Sequence, residues 1–92
     1  MNEELLNKII ELAKQYKVTK LVQFGSSLES LEDSSDIDMA CDGLYDKRFF
    51  RFGAKLEQLF NKPVDLLPLQ PHDKFSEYII KHGRILYESK ID

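Results

Sequence analysis

Asp36 and Asp38 stand two residues apart in Ser35-Asp36-Ile37-Asp38, in a stretch with the character of a strand, so both side chains point to one face. Two carboxylates that close repel each other, and ionising both costs energy unless a cation sits between them. The flanking sequence sharpens the conflict. Between Lys20 and Lys47 there is no lysine or arginine, while Glu29, Glu32, Asp33, Asp36, Asp38 and Asp42 all fall inside. A hard divalent ion with oxygen ligands, Mg²⁺ or Mn²⁺, resolves it. An EF-hand does not fit, because Ala40 and Lys47 fall where a ligand and the bidentate glutamate should be. Upstream, Phe24-Gly25-Ser26-Ser27 closes an apolar run. Glycine after a strand lets a phosphate approach the backbone closely, and a short helix starting at Ser26 would turn N–H groups and a hydroxyl toward it. Asp65, in Pro63-Val64-Asp65-Leu66-Leu67, offers a third carboxylate. A cluster of three holds two metals that activate an attacking hydroxyl and stabilise a departing pyrophosphate.

Each piece has an ordinary explanation when taken alone. An isolated Asp-x-Asp is usually a solvated loop, Asp65 could be a surface residue of an edge strand, and Ser34 and Ser35 are commonly turn formers. The chemistry depends on the chain bringing the pieces together, which is a question about elements. A first helix is expected from Asn2 to Tyr16, with Asn2 as N-cap, Glu3 and Glu4 in its first turn, and an apolar face containing Leu5, Ile9, Leu12 and Tyr16. Val18 to Phe24 reads as a strand ending at Gly25, and Ile37 to Cys41 as a second. A second helix spans Tyr45 to Phe60, with Phe49, Phe52, Leu56, Leu59 and Phe60 on one face. Val64 to Leu69 reads as a third strand, which Pro68 and Pro71 confine to an edge or an early end. Asp73 caps a last helix that stops at Gly83, and Ile85 to Tyr87 reads as a short extended tail.

Connection lengths then set the topology. Nine residues separate Ser26 from Asp36, fewer than the dozen or so a parallel crossover needs, so the first two strands should be antiparallel. A full helix separates the second strand from the third, which allows a parallel, right-handed crossover. Gly25, Ser26, Asp36, Asp38 and Asp65 thereby meet at one edge of a mixed sheet. The fold class expected is α/β: a small mixed β-sheet with packed helices, in a single domain over residues 1–92.

Composition narrows the function classes. The net charge of −3 provides no general field for nucleic acid, so direct nucleic-acid binding is not expected. Cys41, the lone cysteine, has no partner for a disulfide or a zinc site and reads as a small core residue. No run resembles a signal peptide, and none approaches the ~18 apolar residues of a membrane span, so the expected setting is the cytoplasm. Lys47, Arg48, Arg51 and Lys55 line one side of the second helix and read as a solvated face. Phe50 is turned roughly 100° away from the neighbouring core stripe, either half-buried under a loop or a partner contact.

At these residues the chain resembles the minimal nucleotidyltransferase family, the small relatives of the DNA polymerase beta superfamily. The resemblance rests on Gly25-Ser26, on Ser35-Asp36-Ile37-Asp38, on Pro63-Val64-Asp65-Leu66-Leu67 and on the ending His82-Gly83-Arg84-Ile85-Leu86-Tyr87-Glu88. It implies a nucleotidyltransferase fold, with Asp36 and Asp38 as metal ligands, Asp65 as the third ligand beside the acceptor hydroxyl, and Gly25, Ser26 and Ser35 as nucleotide-binding residues. It further implies Mg²⁺ or Mn²⁺, ATP as substrate, and AMP transfer to a hydroxyl of a HEPN-type partner, as in the antitoxin half of a toxin–antitoxin pair. The sequence departs from the family pattern in a loop one residue shorter, in Ser30 where glycine is usual, and in Glu29 where arginine is frequent. A binding-only antitoxin or subunit of the same fold is the alternative, and self-association is left open.

Overall fold

The structure, a computed structural model, describes residues 1–28 and 35–89. Helix α1 (Glu3–Gln15) starts where expected: the Asn2 side chain accepts a hydrogen bond from the Leu5 N–H at 2.7 Å. That bond satisfies one of the donors every helix start leaves open. Strand β1 (Lys20–Phe24) leads into one turn of 3-10 helix (Gly25–Leu28), and β2 (Ile37–Asp42) returns antiparallel to β1. Helix α2 (Asp46–Phe60) ends at Asn61, whose left-handed backbone (φ 55°) terminates it. Strand β3 (Val64–Pro68) lies parallel to β2, and α3 (Lys74–His82) begins with a capping box between Asp73 and Ser76.

The expected extended tail is a full fourth strand. β4 (Arg84–Glu88) pairs antiparallel with β1, giving the order β3-β2-β1-β4. Its pairing places β1 and β2 in the centre and leaves β3, with its proline, on the edge, where a missing N–H is tolerated.

Strand alternation divides the core into two faces. Helices α1 and α2 cover one, where Ile9, Ala13, Phe52 and Leu56 pack with Leu21, Ile37, Met39 and Cys41. Phe52 is fully buried there, and truncation to alanine should cost about 3–5 kcal/mol. Burial and then the Asp42 charge push the Cys41 thiol up to about 12, which keeps it protonated as a core residue. Helix α3 lies over the other face, where Ile79 and Leu69 meet Val22 and Ala40, with Phe24, Leu67 and Ile80 at the margin. Among the described residues, no helix is long and apolar enough to cross a membrane.

Gly83 ends α3, but in extended backbone (φ −85°, ψ −179°) rather than the left-handed conformation of a glycine stop. The reason for glycine is contact. A Cβ there would lie 2.6 Å from the Ile79 carbonyl oxygen, 2.6 Å from Val22 Cγ1 and 2.7 Å from the Gln23 carbonyl oxygen. α3 therefore meets β1 backbone to backbone, at the end of the strand that feeds the Gly25 turn.

Candidate functional site

The site forms because two connections of different length deliver their ends to one place. Phe24, the last residue of β1, pairs with Asp38, and Asp38 in turn pairs with Asp65 across the parallel strands. Alternation puts the Asp38 and Asp65 side chains on the face of Ala40 and Leu67, which α3 covers only further along the strands. Asp36 lies in the turn just before β2 and is exposed, as are Asp65 and Ser35, while Asp38 is half-buried.

Their fields overlap. The Asp38 carboxyl is raised above its ordinary value, first by burial, then by the charge of Asp65, then by that of Asp36. Like charges near a partly desolvated carboxylate make the ionised form expensive. The charges of Asp65 and Asp36 thus both bear on Asp38. Among the described residues, however, no group of three His, Cys, Asp or Glu side chains is gathered closely enough to hold a metal ion. The convergence is one of strand register and electrostatic field, short of a closed coordination cage. The donor set suits a hard cation: oxygen only, doubly or triply negative, and carrying a repulsion that a divalent ion would relieve.

Gly25 is the second component. Its φ of +78° suits glycine, and a Cβ built on it would fall on the Asp38 carboxylate. The turn and the acid are in direct contact because that side chain is missing. Ser26 is exposed beside it, and the expected short helix is the 3-10 turn Gly25–Leu28.

One supporting residue has no place in the sequence expectations. Gln23 is fully buried, and its side-chain amide donates to both the carbonyl and the hydroxyl oxygen of Ser27, each at 3.1 Å. It ties the 3-10 turn back to the strand below it. The signal was available as a lone glutamine in the apolar run Leu21-Val22-Gln23-Phe24, four residues before a serine. Glu29, Ser30, Glu32, Asp33 and Ser34 lie outside the described residues.

The basic face of α2 is exposed as expected, with Arg48 donating to the Tyr16 carbonyl oxygen at 2.6 Å. His72 pairs with Asp42 at 3.0 Å, and His82 packs on Tyr78 in the last turn of α3. Phe50 is 74% exposed and rests edge-on against Phe49.

Comparison with known proteins follows the same lines. A family model described as polymerase beta, nucleotidyltransferase, matches residues 7–92. Among solved structures, a chain from a mutant MntA–HpeT toxin–antitoxin complex superposes with a TM-score of 0.74 at 23% identity, covering 98% of this chain and 75% of that one. A chain from the complex of tri-AMPylated Shewanella oneidensis HEPN toxin with MNT antitoxin matches with a TM-score of 0.71 at 25% identity, over 97% and 74% of the two chains. A chain from a toxin–antitoxin structure with AMP-PNP gives a TM-score of 0.73 at 25% identity, over 92% and 74%. No curated protein matches the chain.

Proposed function

Because the chain belongs to the polymerase beta nucleotidyltransferase family, we propose that it moves AMP from ATP to a hydroxyl group of a HEPN-type partner protein, as an antitoxin acting on its toxin. The observation that carries this reading is the pairing of Asp38 with Asp65 directly beside the Gly25 turn.

In this reading Asp36, Asp38 and Asp65 would hold Mg²⁺ or Mn²⁺, which would supply charge neutralisation for the phosphates and for the developing alkoxide. Gly25 and Ser26 receive the triphosphate on their backbone N–H groups and the Ser26 hydroxyl, with Ser35 at the margin of the same site. The acceptor oxygen forms a bond to the α-phosphorus while the bond from that phosphorus to the bridging oxygen breaks. Pyrophosphate leaves, and the hydroxyl proton passes toward Asp65. Gln23 keeps the Gly25–Leu28 turn in place through Ser27. Burial and the neighbouring acids oppose the Asp38 charge, a penalty that a bound cation would relieve.

The deciding experiment incubates the protein with ATP labelled on the α-phosphate, Mg²⁺ and a HEPN-type partner. Label on the partner with pyrophosphate released in equal amount is the expected result. A stable complex without label or pyrophosphate would instead establish the binding-only alternative.

A further inference from the structure

Helix α2 carries Lys47, Arg51 and Lys55 at successive four-residue steps, all of them exposed. Side chains at that spacing are neighbours on a helix, and like charges there oppose its formation. Among the described residues none of the three is in a salt bridge; the lysines that are, Lys8 with Glu4 and Lys20 with Glu88, lie on α1 and β1. Lys47 and Arg48 also stand in the first turn, where the helix dipole disfavours a cation, and Tyr45 provides no side-chain cap. Helix α2 thus gives up local stability for a row of positive charge, in a chain whose net charge is −3.

The row borders a groove of about 350 Å³ between α1 and α2, lined by Lys55 on one side and by Lys8 and Glu11 on the other. Leu12 and Leu59, both half-buried, are among its lining residues. A second depression, of about 400 Å³, shares Lys8 and Leu59 and continues to Leu5 and Asn2. Together the two follow α1 over its 13 residues, ~20 Å at a rise of 1.5 Å per residue.

We infer that this groove docks an acidic amphipathic helix of a partner protein. The apolar stripe of that helix lies on Leu5, Leu12 and Leu59, and its acidic flank lies against Lys55, Arg51 and Lys47. The match is one of charge and spacing. Cations four residues apart recur every ~6 Å along α2, as do acids four residues apart on a helix lying beside it. A groove between helices takes a further helix by its apolar stripe, which in turn aims the acids. A nucleic-acid strand offers the charge without the stripe, and the net acidity of the chain repels it. The surface is also separate from the candidate site. Helices α1 and α2 cover one face of the sheet while Asp38 and Asp65 are on the other, so the inference does not rest on the transfer reaction.

The test titrates a synthetic helical peptide of about 14 residues, enough to span ~20 Å, into the chain in EDTA. The peptide carries a leucine stripe at helical spacing and glutamates along one flank. Two control peptides have glutamine for glutamate or serine for leucine. The glutamate–leucine peptide should bind the wild type at least ~10-fold more tightly than either control, and less tightly as salt rises. Arg51→Glu and Lys55→Glu should each weaken it by roughly 3–10-fold. Both variants should melt at or above the wild-type temperature, because each turns like-charged neighbours into opposite ones. Lys81→Glu, on α3, should bind the peptide as the wild type does. If a reversal fails to fold, Lys55→Gln makes the same comparison with one charge removed. Variants at positions 51 and 55 that bind as the wild type does, or controls that bind as well as the glutamate–leucine peptide, overturn the inference. It is equally overturned if a single-stranded RNA oligonucleotide binds more tightly than the peptide and is lost with Arg51→Glu. Sedimentation showing that the chain dimerises through these residues overturns it in favour of a second copy.

Discussion

Asp38 and Asp65 face each other as register partners on adjacent parallel strands, and the Asp65 charge outranks that of Asp36 in raising the Asp38 carboxyl. A carboxyl whose pKa is higher in the fold than in the unfolded chain binds more protons when folded. Its charge then opposes folding at neutral pH, and the penalty is relieved as pH falls through the folded value toward the ordinary 3.8. In EDTA, Asp38→Asn should melt above the wild type at pH 7, with the difference shrinking as pH is lowered. With Mg²⁺-ATP at ~100 times its dissociation constant the order should reverse. The wild type should gain about 2.7 kcal/mol, a rise of roughly 10–20 °C in Tm. A melting curve unmoved by Mg-ATP, Mn-ATP and Mg-GTP alike would count against nucleotide binding at this edge.

The three acids should separate by role. Asp65→Asn keeps the shape but removes the charge beside the acceptor hydroxyl, so it should retain Mg²⁺-ATP binding while slowing transfer by ~10²–10⁴. Asp38→Asn should impair both. Calorimetry and single-turnover transfer on the two variants provide the measurement. Wild-type transfer by Asp65→Asn would make that residue a bystander on an edge strand.

Gly25→Ala addresses the contact between turn and acid. Its positive φ makes a side chain cost about 1–2 kcal/mol, and the new Cβ must displace the Asp38 carboxylate. Urea unfolding should show at least that loss, and Mg²⁺-ATP affinity should fall. A variant as stable as the wild type would mean that the turn does not press on Asp38.

Phe50→Asp tests the partner surface. The ring is mostly exposed and faces away from the core, so the isolated protein should stay folded. Co-purification with the HEPN-type partner should weaken, by ~30-fold or more if Phe50 is a hot spot at about 2 kcal/mol. Unchanged binding by a folded variant removes Phe50 from the interface.

The parts of the fold governed by local chemistry were legible in the sequence. Asn2 and Asp73 cap the helices they were expected to cap, Pro68 lies on an edge strand, and connection length set the antiparallel and parallel pairings. The expected gathering of Gly25, Asp38 and Asp65 followed from those pairings, because register is a consequence of topology. What escaped was tertiary. Arg84 to Glu88 forms a strand because β1 offers an unpaired edge, which a short apolar run does not announce. Gly83 carries the expected residue for a different reason, since crowding against Val22 and Gln23 is a contact between distant segments. Gln23 escaped because its meaning lies in a turn that packs back on its own strand. The departures at Glu29 and Ser30 fall outside the described residues.

The backbone fit at Gly83 has a mechanical consequence. With the Ile79 carbonyl, Val22 and the Gln23 carbonyl all crowding the space a Cβ would need, α3 has no slack against β1. A side chain at position 83 could therefore be accommodated only by lifting α3 off the strand that carries the Gly25 turn.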